Sequence, residues 1–142
     1  MSDTMADPAP PEGFEPACFS PGFLDHGGPY FLGRRGEEPR VVGLRIMAHH
    51  INYKDGAHGG VISTFADVAL SHAVYDAERP RLAPSTITLQ VNYLSSARLG
   101  EWLEAHVTID RMGGRTAYTS GRIMRGEDAI ATMSGVFAIR RS

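Results

Sequence analysis

From about residue 86 onward the chain alternates apolar and polar side chains, and ahead of that it carries one long stretch at helical spacing. In "TITLQVNYL", residues 86–94, Ile87, Leu89, Val91 and Tyr93 fall on one face and Thr86, Thr88, Gln90 and Asn92 on the other, the two-residue period of a half-buried strand. "EWLEAHVTIDR", 101–111, repeats the pattern with Leu103, Ala105, Val107 and Ile109. "RTAYTSGRIMR", 115–125, and "AIATMSGVFAIR", 129–140, follow, with "GEDA" as a hairpin turn between them. "RVVGLRIMA", 40–48, predicts an earlier strand with Val42, Leu44 and Ile46 on one face. Residues 49–57 read as a loop. From Val61 the positions Val61, Phe65, Val68, Ala69 and His72 recur at helical spacing. That helix is expected from about His58 to Asp76, ending before Pro80.

The order is therefore one strand, one long helix and four antiparallel strands. A helix laid on a curved five-stranded sheet makes a two-layer α+β domain. The helix is nearly apolar all round, which implies burial on most sides, and the sheet's open edges invite pairing. A dimer that joins two sheets answers both. Residues 1 to about 16 are rich in Pro, Asp and Glu and are expected to be mobile. The division is a flexible segment over 1–18 and one folded domain over 19–142. Within the latter, residues 19–34 are punctuated by Gly and Pro but hold Phe19, Phe23, Leu24, Tyr30 and Phe31. This stretch is expected to pack as an irregular or short helical segment.

Composition narrows the partners. A chain of 142 residues, 42% apolar, suits a single domain that buries its own core. A net charge of −2 gives no sign of a nucleic-acid or membrane-surface partner. Cys18 is the one cysteine, so no intrachain disulfide is possible, which suits a reducing cytosol. The N-terminus has no basic region followed by an apolar run, and no stretch of about 18 apolar residues exists to span a bilayer. A cytoplasmic protein is expected.

The stretch "NYKDGAHGGVISTFADVALSHA", 52–73, departs from a plain core helix at two places. Gly59 and Gly60 weaken a helix start, and Asp67, between Ala66 and Val68, is costly unless paired or near water. With this stretch, the element order resembles the hotdog-fold acyl-CoA thioesterases of the phenylacetate-degradation type. Their signature is an Asn, a short loop, His-Gly-Gly at a helix start, and an acidic residue nine positions after the His. Here these are Asn52, His58-Gly59-Gly60 and Asp67. The likeness runs over roughly residues 23–141 and takes in "GPYF" and "NYLSSARLGEWLEAHV". The loop departs from it: Tyr53, Lys54 and Asp55 stand where many relatives have a small apolar residue and a glycine.

The resemblance implies a hotdog fold and hydrolysis of a coenzyme A thioester with an aryl or medium-chain acyl group. It makes Asp67 the catalytic carboxylate, acting as general base on water or as direct nucleophile. The plainer reading is a partly exposed Asp bonded to Thr64 or Ser71. Hydrolysis also needs a donor for the developing oxyanion. A helix N-terminus supplies free N–H groups and the positive end of its dipole. Gly59 N–H is thus the candidate donor, with Gly60 making room, unless both glycines only permit close helix–sheet packing. Asn52 orients the water or carbonyl, or is an ordinary turn residue. Thr86 assists the carboxylate, or is plain strand composition. Tyr93, Arg115 and Thr116 match positions along the pantetheine and nucleotide path, with Arg98, Arg111, Arg140 and Arg141 as further phosphate candidates.

Gly59 and Asp67 are eight residues apart, about 12 Å along a helix axis. One thioester carbonyl cannot reach both. Either one of them is not catalytic, or each site takes Gly59 from one subunit and Asp67 from another, in a dimer or a dimer of dimers. Of the six histidines, His49 and His50 are adjacent, His58 and His72 are 14 apart, and no carboxylate or Cys falls at ligand spacing from these four. No metal or cofactor is expected, and His58 is expected to hold the loop through its ring. No Gly-x-Ser-x-Gly elbow occurs. The competing functions are a non-catalytic acyl-CoA-binding module of the same fold and a hotdog dehydratase or hydratase.

Overall fold

The computed structural model describes residues 9–34 and 40–141. The part of the N-terminal segment before residue 9 lies outside them. Ten elements follow one another: β1 (Phe14–Ala17), α1 (Leu24–Gly27), β2 (Tyr30–Gly33), β3 (Val41–Arg45), a 3-10 turn (Ala48–His50), α2 (Gly59–Tyr75), β4 (Ser85–Tyr93), β5 (Trp102–Met112), β6 (Thr116–Arg125) and β7 (Asp128–Ala138). The strands form one antiparallel sheet in the order β1-β2-β3-β5-β6-β7-β4.

The sheet has seven strands where the pattern predicts five. The extra two, β1 and β2, are four residues each, too short to show a period. Nor does β2 alternate apolar with polar. Tyr30 enters the main core, while Phe31 joins Phe14 and Val41 in a second cluster closed by Trp102. Strand β1 forms inside the stretch that composition reads as mobile, because Phe14, 6% exposed, is anchored edge-on to Trp102 at 5.1 Å. Gly43 of β3 is what lets the indole lie there, since a side chain at that position would collide with the Trp102 ring.

Helix α2 lies across the sheet, packing on β3, β4, β5, β6 and β7. Its buried side holds Ile62, Phe65, Ala66, Val68, Ala69, Leu70 and Val74. Opposite them Leu44, Leu103, Ile123 and Phe137 are sealed from solvent, each worth about 1.5–3 kcal/mol of burial. The expectation of burial on most sides is corrected by one open stripe. Ser63, Asp67, Ser71 and Tyr75 recur every fourth residue and reach the surface. Strands β1 and β4 are the two edges of the sheet; β4 is hydrogen-bonded to β7 alone among the described strands, with Ile87 57% and Tyr93 53% exposed.

Strand β4 also breaks its own alternation. Its register to β7 shifts between Thr86 and Thr88, so Ile87 is the extra residue of a bulge. Beyond the bulge, Leu89 and Val91 pack against the core as the pattern predicts. Before it, Thr86 pairs with core-facing Phe137 and turns to the helix side, not to the outer face that strict alternation assigns it.

Candidate active site

The bulge brings Thr86 to Asp67. Thr86 Oγ1 donates to Asp67 Oδ1 at 2.8 Å. Asp67 is half-exposed, and the hydroxyl holds one carboxylate oxygen while the other stays available. Neither Thr64 nor Ser71 takes the carboxylate. The Thr64 hydroxyl donates back to Gly60 O at 2.8 Å and the Ser71 hydroxyl to Val68 O at 3.2 Å. Asp67 and Thr86 line a cavity of about 770 Å³ between the open stripe of α2, β4 and the segment from β1 to α1.

The other end of α2 carries a second set of groups. His58 is the helix N-cap, its Nδ1 accepting from Gly60 N–H at 2.8 Å. Its carbonyl oxygen accepts from Val61 N–H at 2.9 Å and from Ile62 N–H at 3.3 Å. Of the helix's first N–H groups this leaves Gly59's with no acceptor among the described residues. Tyr93 lies over this end. Its hydroxyl donates to Gly59 O at 3.1 Å and is also hydrogen-bonded to Ser63. Asn52 is a turn residue here. Its Oδ1 accepts from Lys54 N–H at 2.8 Å and Gly56 N–H at 3.1 Å, leaving only its amide NH2 for a substrate.

Arg115 and Thr116 belong to the Asp67 end. Thr116 pairs with Ala138, which also pairs with Ser85, beside Thr86. Tyr93 stands seven residues along β4 from Thr86, about 23 Å at the rise of a strand. The three substrate-path candidates are therefore not neighbours in one chain, and Tyr93 groups with Gly59 and Gly60. Arg115 is exposed. Arg141 is committed elsewhere: it grips Glu78 with two nitrogens at 2.9 and 2.8 Å and donates to Gly114 O at 2.9 Å. That pairing holds Glu78 below and Arg141 above their ordinary pKa values.

Of the other histidines singled out in the sequence, His49 and His50 are structural and His72 lines the cavity. His50 is 1% exposed, accepts from Met47 N–H at Nδ1 and donates from Nε2 to Gly27 O at 2.8 Å. Burial lowers its pKa. His49 reaches Gly28 O at 2.7 Å. Together they clamp the α1–β2 connection. His72 lines the cavity under Phe19, which no sequence pattern indicated.

A helix capped by His-Gly-Gly, laid on an antiparallel sheet with a carboxylate on its open stripe, defines a class that comparison with known proteins identifies. The family model described as "Thioesterase superfamily" matches residues 56–132, and the chain belongs to that family. Its chemistry as a class is thioester hydrolysis. The chain is 41% identical to the Pseudomonas aeruginosa protein named "Putative esterase PA0474", over 89% of this chain and 95% of that one. Among solved structures it is similar to the BH2602 protein of Bacillus halodurans, solved with CoA. The TM-score there is 0.71 at 23% identity, over 78% of this chain and 74% of that one. It is also similar to the E. coli PaaI protein of the phenylacetic acid degradation operon, with a TM-score of 0.67 at 21% identity over 72% and 73%. These likenesses establish the hotdog fold. No helix among the described residues is long and apolar enough to cross a membrane.

Proposed function

We propose that the protein hydrolyses acyl-CoA thioesters with aryl or medium-chain acyl groups, in sites shared between two copies of the chain. The observation that carries this reading is the Asp67–Thr86 pair at the edge of a cavity large enough for such an acyl group. Asp67 takes a proton from water as its oxygen attacks the thioester carbon. The oxyanion so formed accepts from Gly59 N–H at the start of a helix. Collapse breaks the carbon–sulfur bond, and the thiolate recovers the proton from Asp67. Direct attack by Asp67 instead breaks the carbon–sulfur bond, expels the thiolate and leaves an acyl anhydride on Asp67, which water cleaves to the free acid and the restored carboxylate.

The Gly59 donor comes from the second copy, because Gly59 and Asp67 of one helix stand about 12 Å apart. The open edge of β4, with Ile87, Tyr93 and Leu94 exposed, is the surface through which two sheets join. In the pair, Arg115 and Thr116 of one copy and Tyr93 of the other flank a single coenzyme A. The relative solved with CoA supports this ligand. A cytoplasmic place of action fits the free, exposed Cys18.

Thiol release from a panel of acyl-CoAs tests the reading. The parent protein releases thiol, and Asp67→Asn lowers kcat by roughly 100-fold or more with the fold and acyl-CoA binding kept. A kcat for Asp67→Asn within a few-fold of the parent's rejects the assignment.

A further inference from the structure

Past Asp67 the cavity follows α2 toward its C-terminus, where Val68, His72 and Tyr75 line it and Phe19 and Phe23 face them. The wall there is mostly apolar and suits hydrocarbon. His72 is the exception. Its Nε2 is buried and has no hydrogen-bond partner among the described residues. A buried polar atom left so carries its desolvation penalty unrelieved. The Ser71 hydroxyl is spent on Val68 O. Burial, opposed by Asp76, lowers the pKa of the ring. The imidazole is therefore neutral near pH 7, with one nitrogen to donate and one to accept.

Two rings pack on His72: Phe19, edge-on at 5.3 Å and 71°, and Tyr75, tilted at 5.9 Å and 33°. Phe19 belongs to neither a strand nor a helix. It stands in the connection between β1 and α1, followed by Pro21 and by Gly22 at φ +100.

We propose that His72 is a specificity-determining residue: displacing the Phe19 ring, a medium-length acyl group places a hydroxyl or carbonyl oxygen on the imidazole. The site then prefers thioesters oxygenated near the far end of the acyl chain to plain hydrocarbon ones. Length follows from the helix. His72 lies five residues beyond Asp67, about 7.5 Å along the axis and about 140° around it, so about six carbons is the shortest chain that spans the gap. The inference rests on the thioesterase reading above and adds the chemistry of the acyl end.

The test compares hexanoyl-CoA with 6-hydroxyhexanoyl-CoA in the parent, His72→Leu and His72→Gln proteins. Binding of the two free acids is followed in parallel by calorimetry. The parent is expected to show kcat/KM roughly tenfold or more higher on the hydroxylated thioester, the worth of one hydrogen bond to a buried polar group. His72→Leu brings the ratio to about one by lowering the hydroxylated arm only, and His72→Gln restores part of it. A ratio near one in the parent overturns the proposal. So does an equal fall on both substrates in His72→Leu, which marks a packing role. If neither thioester releases thiol while the parent binds the hydroxy acid more tightly and His72→Leu does not, the thioesterase reading fails and the His72 subsite stands. If neither acid is favoured, the subsite fails.

Discussion

The role proposed for Asp67 rests on an incomplete set of neighbours. The carboxylate is half-exposed on the open stripe of α2 and, among the described residues, receives one hydrogen bond, from Thr86, at 2.8 Å. A hydrogen bond to a charged group is worth about 1.5–3 kcal/mol, so its first effect is to fix the rotamer and select which oxygen meets water. Thr86→Ala is expected to lower kcat by about tenfold to a hundredfold, with KM changed little. Thr86→Ser keeps the donor and most of the rate. Steady-state kinetics on one acyl-CoA decides this, and an unchanged kcat in Thr86→Ala would make the contact incidental. His58 and Asn52 act differently from Asp67: their acceptor atoms are spent on Gly60 N–H and on the 52–56 turn. What the pair leaves open is Gly59 N–H.

At the scale of elements, the site depends on the phase of β4 ahead of Thr88. With Ile87 paired in the ladder instead of bulged, Thr86 faces outward with Thr88 and cannot meet the helix. Deleting Ile87 sets Thr86 directly before Thr88 and so keeps it on the helix side by simple alternation. That variant is expected to keep kcat within a few-fold of the parent's, with the parental circular dichroism spectrum. A fall as deep as that of Thr86→Ala would show that the bulge itself, and not the phase, positions Thr86. Helix α2 plays the complementary part: its apolar side, sealed by Phe65 and Leu70, fixes where the polar stripe must point.

For the whole molecule, the proposed reaction joins the two ends of α2 only between copies. Gly59→Pro removes the proposed N–H donor, and Asp67→Asn the proposed base. Each variant is expected to be inactive by itself, and mixed refolding returns roughly a quarter of parental activity. Half the dimers are then mixed, and half of their sites carry no lesion. If the mixture stays inactive while mass spectrometry shows heterodimer in it, the shared site is wrong. Stability has its own pH dependence. Burial lowers the pKa of His50 and of His72 from the ordinary 6.5. The unfolded chain therefore binds protons that the folded one refuses as pH falls through 6.5 toward the lowered values. Stability is full above that window and declines through it. The melting temperature is expected to be lower at pH 5 than at pH 7.5, and His50→Gln to flatten the difference. A melting temperature independent of pH over that range would contradict it.

Periodicity and spacing carried much of this in one dimension. The five longer strands and α2 were legible because burial of one face repeats every two or every 3.6 residues. The pairing of Asp67 with His58-Gly59-Gly60 was legible because both lie on one helix, where separation in sequence is separation in space. The proposal of a second copy follows from the same ruler. Strands β1 and β2 were not legible, since four residues are too few to show a period and β2 is buried on both faces. Thr86's turn to Asp67 and the separation of Tyr93 from Arg115 were decided by register, through a bulge that composition does not announce. The cavity, with His72 and Phe19 in it, belongs to the tertiary structure entirely. Its walls come from segments more than forty residues apart, and only the packed sheet and helix determine which side chains meet.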